Sequence, residues 1–261
     1  MAAFGTYEWA VKNYNIVSGC SHDCKYCYSK EMAIRFKRKK PETWKNEEKL
    51  KGAENHTFPK INGQIMFPSS HDITPDNISD SMRIIEQILS GGNKLLIVSK
   101  PHMSCISLIC NNLKKYKQNI LFRFSIGSSN NSTLAFWEPN APLFEERLES
   151  LKFAYNAGFK TSISCEPMLD DNIDDVVEKL SPYVTDSIWI GKMNFLLRRL
   201  KMNGHNDKKS INQANKLIDW QSDDNIHALY ERLSNNSKIK WKESIKKVVN
   251  ISLSDESGLD I

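Results

Sequence analysis

Six short apolar runs punctuate residues 14 to about 200, and between them the sequence switches to helical spacing. The runs are YNIVSG (14–19), GQIMF (63–67), KLLIVS (94–99), ILFRFSIG (120–127), KTSISC (160–165) and DSIWIG (186–191). In the gaps, Ile78, Met82, Ile85 and Leu89 recur at i, i+4, i+7 and i+11, and so do Phe144, Leu148, Leu151 and Tyr155. That spacing stacks apolar side chains on one helix face. Thr74-Pro75-Asp76 is a start signal for the first helix and Gly91-Gly92 a stop, while Gly158 closes the second. Strands separated by helices pair through right-handed crossovers, so a parallel sheet is expected. Six units predict an α/β fold, a partial (βα)6 TIM-type barrel rather than a closed eightfold one.

Residues 41–62 read as an insertion between the first helix and the second strand. Beyond Gly191 the chain turns polar and basic, then helical in IHALYERL, and ends near KIKWKESIKKVV. The expected organisation is a barrel core over residues 1–192 and a basic, partly helical C-terminal extension over 193–261 packed on it. No Gly-x-Gly-x-x-Gly follows the first strand, which argues against dinucleotide binding, and no Ser/His/Asp triad or phosphate-cradling loop suggests another enzyme class. There is no run of 18 apolar residues and no signal-peptide layout at the start, so a cytoplasmic protein without a membrane partner is expected. Net charge is only +5, but five cations crowd residues 35–40, and seven lie within 192–216 against one acid, Asp207. Such bunching suits a polyanionic partner or, equally, a solvated lysine-rich surface.

Six cysteines in 261 residues do not make a disulfide scaffold. Three of them, Cys20, Cys24 and Cys27, fall in GCSHDCKYCYSK, directly after the first predicted strand. A zinc site would need a fourth ligand, and His22 lies inside the cluster, but no second Cys/His couple exists to complete the usual pattern. Cys105 and Cys110 fall in a predicted helix, and Cys165 stands alone. An electron-transfer cluster would want four thiolates. A third reading uses the deficit: a four-iron cluster on three thiolates leaves one iron open to a substrate or cofactor.

Cys20-Ser-His-Asp-Cys24-Lys-Tyr-Cys27 resembles the Cys-x3-Cys-x2-Cys signature of the radical SAM superfamily, down to the aromatic residue, Tyr26, before the third cysteine. FRFSIGSSNN, WEPNAPLFEERLESLKFAYNAGFKTSISCEPML, DSIWIGK and the late KWKESI are similar to its spore photoproduct lyase-like (DNA repair photolyase-like) branch and phage relatives. The resemblance spans residues 14 to about 192. It implies a [4Fe-4S] cluster on Cys20, Cys24 and Cys27, with the amino and carboxylate groups of S-adenosylmethionine on the open iron. One-electron cleavage of the C–S bond would release a 5′-deoxyadenosyl radical that abstracts hydrogen. It also implies that Ser70, Lys100 and Ser125 bind S-adenosylmethionine beside Tyr26, and that a flavodoxin or ferredoxin supplies electrons to a monomeric enzyme. One departure bears on the substrate. The lyase carries a hydrogen-donor cysteine where this chain has Ser69, and a serine O–H bond is too strong to yield hydrogen readily to a carbon radical. The initiating chemistry is therefore expected to carry over, but not the lyase's own relay.

Strand parity gives an independent list of residues. In a barrel, i, i+2 and i+4 share a face, and reactive groups gather at the C-terminal strand ends. If Phe122, Phe124 and Ile126 face the helices, Arg123, Ser125 and Gly127 face the lumen. Ile163 and Cys165 outward leave Ser162, Ser164 and Glu166 inward; Ile65 and Phe67 outward leave Gln64, Met66 and Ser70 inward. Lys100 falls on the lumenal phase if Ile97 faces out. The expected ring is Ser70, Lys100, Arg123 and Ser125 around the cofactor, with Glu166 as a catalytic group. Serines also cap helices and an Arg–Glu pair can satisfy itself, so each member alone has an ordinary role open to it; together they favour a site. A nucleic acid or nucleotide substrate fits the basic segments, with Phe136 or Trp137 open either to base stacking or to packing. The alternatives are a peptide or small metabolite, or a non-catalytic iron–sulfur or zinc protein; no cysteine follows Cys165, which counts against auxiliary clusters.

Overall fold

A computed structural model of the protein describes residues 5–53 and 56–258. Seven strands form one all-parallel sheet in the spatial order β1 (Lys12–Asn13), β4 (Gln64–Phe67), β5 (Lys94–Ser99), β6 (Ile120–Ser125), β7 (Lys160–Cys165), β8 (Ile188–Ile190) and β9 (Ile239–Trp241). The sheet is a partial barrel with β1 and β9 at its edges. Helices cross between successive strands, among them α2 (Ile78–Ser90), α3 (Met103–Asn112), α5 (Phe144–Asn156) and α6 (Ile173–Leu180). β2 (Val17–Ser18) and β3 (Glu48–Lys49) form a separate antiparallel ribbon that ties the 41–62 insertion to the segment before the cysteines. Residues 54 and 55 of that insertion lie outside the described residues.

The alternation read from sequence holds through the sheet. Ile65, Phe67, Ile97, Phe122, Phe124, Ile163 and Cys165 pack into the main core under the helices. On the opposite face, Met66, Leu96 and Trp189 meet Trp9 and Ala10 in a smaller apolar cluster inside the barrel. One set of strands therefore builds two cores, because period-two alternation sends neighbours to opposite sides. The first strand needs correction. YNIVSG does not run as one sheet strand; β1 ends at Asn13, and Val17–Ser18 turns away to pair with β3. Asn15 sits at that divergence and leaves the ladder to hold the next strand's end. Its Oδ1 accepts from the Ser69 and Ser70 amides at 2.8 Å each, and its Nδ2 donates to Ser69 Oγ at 2.9 Å.

Two further differences concern α5 and the late IKW stretch. α5 buries Phe144, Arg147 and Leu151, whereas Leu148 is half-buried and Tyr155 is exposed. The helix is rotated toward Arg147, whose guanidinium is wholly enclosed beside Glu138 at 2.5 Å. β9, from the late IKW stretch, adds a strand within a segment expected to be basic and partly helical; three residues between lysines are too few to display a period. The remaining helices of that segment are α7 (Leu196–Met202), α8 (Lys208–Trp220), α9 (Asp223–Leu233) and α10 (Glu243–Lys246). Among the described residues no helix is long and apolar enough to cross a membrane.

Candidate active site

The cysteine loop connects β2 to α1 (Tyr28–Arg35) at the C-terminal rim of the barrel. It begins at Gly19, whose φ of +105° and surroundings both demand glycine. A Cβ there would lie 2.6 Å from the Asn46 carbonyl oxygen and 2.7 Å from that of Trp44. Cys20 N–H donates to the same Trp44 oxygen at 3.1 Å, so the insertion's backbone lies directly on the start of the loop. Gly19→Ala is expected to cost roughly 1–3 kcal/mol through backbone conformation alone, before any clash. The thermal midpoint should fall by several degrees and iron uptake should drop with it. Differential scanning fluorimetry and iron assay of the variant check both.

Further contacts fix the loop from outside. The Asn203 side-chain amide, just after α7, donates to the carbonyls of Lys25 and Cys27 at 2.9 Å each. Lys25 N–H donates to the Trp137 carbonyl at 2.9 Å, and Asn140 Nδ2 to that of Ser21 at 3.0 Å. Cys27 caps α1, its Sγ accepting from Lys30 N–H at 3.4 Å. Tyr26 hydrogen-bonds Glu138, and Arg147 binds Glu138, the Pro142 carbonyl at 2.7 Å and the Ser125 carbonyl at 3.0 Å. The loop thereby reaches the end of β6 through a buried charged pair. Sequence carried one hint of this: Arg147 shares the apolar stripe with Phe144 and Leu151.

All three cysteines open onto one cavity of about 540 Å³. Tyr26, Ser70, Lys100, Ser125, Ser164 and Glu166 line the same cavity. Arg123 does not. It faces the lumen as parity requires, but one layer lower, where it fills the barrel floor. Its guanidinium lies 4.8 Å from the Trp9 ring and 5.3 Å from the Trp189 ring, donates to Ser162 Oγ at 2.9 Å and pairs with Asp186 at 3.3 Å. Parity gave the face and not the depth. Trp137 is buried in the core, and Phe136 packs edge-on against it at 4.8 Å.

Asp72, which neither strand parity nor the cysteine motif singles out, organises the cavity wall. Its carboxylate accepts from Lys100 N–H at 2.8 Å, Ser99 Oγ at 3.1 Å and Lys100 Nζ at 3.4 Å, and bonds His22 Nδ1 at 2.8 Å. Burial alone would raise the Asp72 pKa, but Lys100 and His22 outweigh it and hold the carboxyl well below the usual range. Burial likewise opposes charge on Lys100, but Asp72 together with Cys24, Tyr26 and Glu138 outweighs it and holds the pKa up. Ligand atoms of Cys20, His22 and Asp72 lie within 4.8 Å of one another. They do not make a free three-ligand metal site, because Asp72 already takes these donors and His22 Nε2 bonds His102 Nε2 at 2.8 Å. With His22 engaged at both nitrogens, the donor set offered to a metal group is the three thiols. Burial pushes the pKa of Cys20, Cys24 and Cys27 up, so their thiolates require a bound cation for compensation. Three thiols on one roomy cavity that also carries Ser70, Lys100, Ser125 and Glu166 fit an iron–sulfur cluster that shares its site with an organic cofactor.

A partial parallel barrel with a three-cysteine loop at its C-terminal rim defines a class of iron–sulfur enzymes. The family model of the radical SAM superfamily matches residues 14–181, and the chain belongs to that superfamily. Its cofactors are accordingly a [4Fe-4S] cluster and S-adenosylmethionine, which together supply a carbon radical for hydrogen abstraction. The uncharacterized protein ORF301 of Acidianus two-tailed virus is 25% identical over 250 residues, covering 90% of this chain and 81% of that protein. Spore photoproduct lyase, solved as a variant with dinucleoside spore photoproduct, superposes with a TM-score of 0.53 at 16% identity over 76% of this chain. Streptococcus suis SuiB bound to S-adenosylmethionine gives a TM-score of 0.53 at 11% identity over 95% of this chain. The chain spans 60% of the lyase chain's length and 54% of SuiB's, so these two likenesses concern the fold.

Proposed function

We propose that this enzyme abstracts hydrogen from a nucleic acid or nucleotide. In this reading Cys20, Cys24 and Cys27 hold the cluster, Tyr26, Ser70, Lys100 and Ser125 surround S-adenosylmethionine, and Glu166 faces the substrate. Lys100 offers an ammonium to the cofactor's carboxylate while Asp72 keeps it oriented. The apolar part of the lining, from Trp9, Trp44 and Val98, limits water around the cofactor.

The observation that carries the nucleic-acid reading is a second groove of about 450 Å³ beside the cysteine loop, lined by Lys209, Lys216, Phe136, Trp220 and Gln213 as well as Asp170 and Asp171. Lys25 Nζ sits 3.6 Å from the Phe136 ring centroid and Lys209 Nζ 5.6 Å from it. Burial, and then Lys209, lower the Lys25 pKa, with Asp207 opposing. Two ammoniums gathered over one ring, next to amide side chains, suit phosphate. The lyase solved with a dinucleoside ligand supports the same reading.

The test is anaerobic reconstitution with deuterium-labelled DNA, RNA and nucleotides, with peptides in parallel. Deuterium should appear in 5′-deoxyadenosine or in re-formed cofactor from a nucleic-acid substrate; transfer only from a peptide or a small metabolite overturns the proposal. Lys209→Ala with Lys216→Ala should weaken oligonucleotide binding uniformly across sequences. The slope of log K against log salt should shrink by roughly 0.7 per lysine for a single strand. Titrations at several salt concentrations measure it.

A further inference from the structure

β9 delivers a buried charge cluster to the cavity wall, beside Trp9 of the apolar lumenal cluster. The first residues beyond β7, β8 and β9 are Glu166, Gly191 and Lys242, one row above the paired Cys165, Ile190 and Trp241. Gly191 makes their meeting possible. A Cβ there would lie 2.9 Å from Glu166 Cγ and 3.0 Å from both Lys242 Cβ and Cγ. The Lys242 ammonium is fully enclosed. It pairs with Glu8, with Glu166 at 3.4 Å and with Glu243 at 3.8 Å, and donates to the Gly5 carbonyl at 2.7 Å. Its Nζ also lies 4.2 Å from the Trp9 ring. Three carboxylates thus surround one ammonium. Glu166 and Glu243 line the cavity, and Glu8 lies behind them.

This wall suits a phosphate poorly: its central ammonium is covered by carboxylates, and the other cations on this side of the cavity, Lys192 and Arg199, are paired with Asp223 and Glu31. It suits a neutral group that presents N–H donors. In this reading phosphates lie instead at the Lys209 and Lys216 groove, beside Lys25 over Phe136. We propose that Glu166 and Glu243 read the N–H edge of a substrate base, and that Lys242 is the positioning residue that keeps the Glu166 carboxyl aimed into the cavity. The proposal rests on the nucleic-acid reading above and adds which part of the substrate enters. Burial raises the Glu166 pKa, Lys242 opposes it, Glu243 adds to it and Arg199 on α7 opposes. Burial pushes the Glu8 pKa up to about 8 despite Lys242, while at Glu243 the hydrogen bond with Glu8 and the charge of Lys242 outweigh burial and hold the pKa down. The other titratable groups facing the cluster are Tyr28 on α1, Lys192 after β8, Lys246 on α10 and Lys247 just beyond it.

The test measures equilibrium binding of the four deoxynucleosides, and of their analogues methylated on the base N–H edge, to the cofactor-loaded protein. At least one nucleoside should bind at least about tenfold more tightly than its methylated analogue, since a site built for a hydrogen bond rejects the ligand lacking it. Glu243→Gln should narrow that ratio. Lys242→Met keeps the stem and removes the charge, so the acid limb of the binding pH profile should move to higher pH; in Glu166→Gln that limb should vanish. Circular dichroism verifies that each variant is folded, and the wild-type analogue series needs no variant. Equal binding of the methylated analogues, or a pH limb unmoved in folded Lys242→Met, overturns this inference alone. Failure of every nucleoside and oligonucleotide to bind overturns the nucleic-acid reading and this inference with it.

Discussion

Asp72→Ala is expected to destabilise the protein by about 3–5 kcal/mol, the usual cost of leaving one partner of a buried ion pair uncompensated. The variant strands the Lys100 ammonium beside a void and removes acceptors from Ser99 Oγ, Lys100 N–H and His22 at once. Against a typical stability of roughly 5–15 kcal/mol, that is a large share of the margin. Denaturant melts of Asp72→Ala, Lys100→Met and the double variant measure it. The double variant should recover part of the loss, because the stranded charge is gone. The pH dependence has a definite sign. Asp72 has a depressed pKa in the fold, so its stabilisation is fully present above its unfolded value of about 3.9 and fades as pH falls below that. Acid unfolding of the wild type should therefore be steeper than that of Asp72→Ala.

Cys24→Ala should abolish cluster retention: iron in the anaerobically reconstituted protein should fall from about four per chain to near zero, with complete loss of S-adenosylmethionine cleavage. Cys165→Ala is the matched control. Cys165 packs wholly in the helix-facing core, where burial pushes its thiol up to about 12, and it does not line the cavity. Its loss should leave iron content intact and cost only the packing of one small side chain. Iron and sulfide assays of the two variants, read with the visible charge-transfer band, decide the matter. Equal iron in Cys24→Ala and wild type would remove Cys24 from the ligand set.

Much of this arrangement is legible in the sequence, because two periodicities and one spacing carry it. Alternation in LFRFSIG and TSISCEP assigns the lumenal faces of β6 and β7, and helical spacing locates α2. Residues whose surroundings come from distant segments escape such reading. Asp72 follows a strand, as many capping acids do, and only the fold brings His22, Ser99 and Lys100 to it. Arg123 and Ser125 share a parity, yet one fills the floor and the other lines the cavity, because depth depends on how far β1 and β8 bring Trp9 and Trp189 inward. Lys242 was hidden for a different reason: β9 is too short to announce itself, and the carboxylates that bury its charge sit at positions 8, 166 and 243.

The clasp of Asn203 on the cysteine loop spans up to 178 residues of sequence, and the bond from Lys242 to Gly5 spans 237. A ribosome extending the chain at roughly 5–20 residues per second completes the cysteine motif many seconds before either clasp exists. During that interval the cysteine loop lacks the Asn203 clasp that holds it in the folded chain. The contacts that hold the cysteine loop in place are thus made from sequence far downstream of the motif, and β9 closes the chamber's wall from the far end of the sheet.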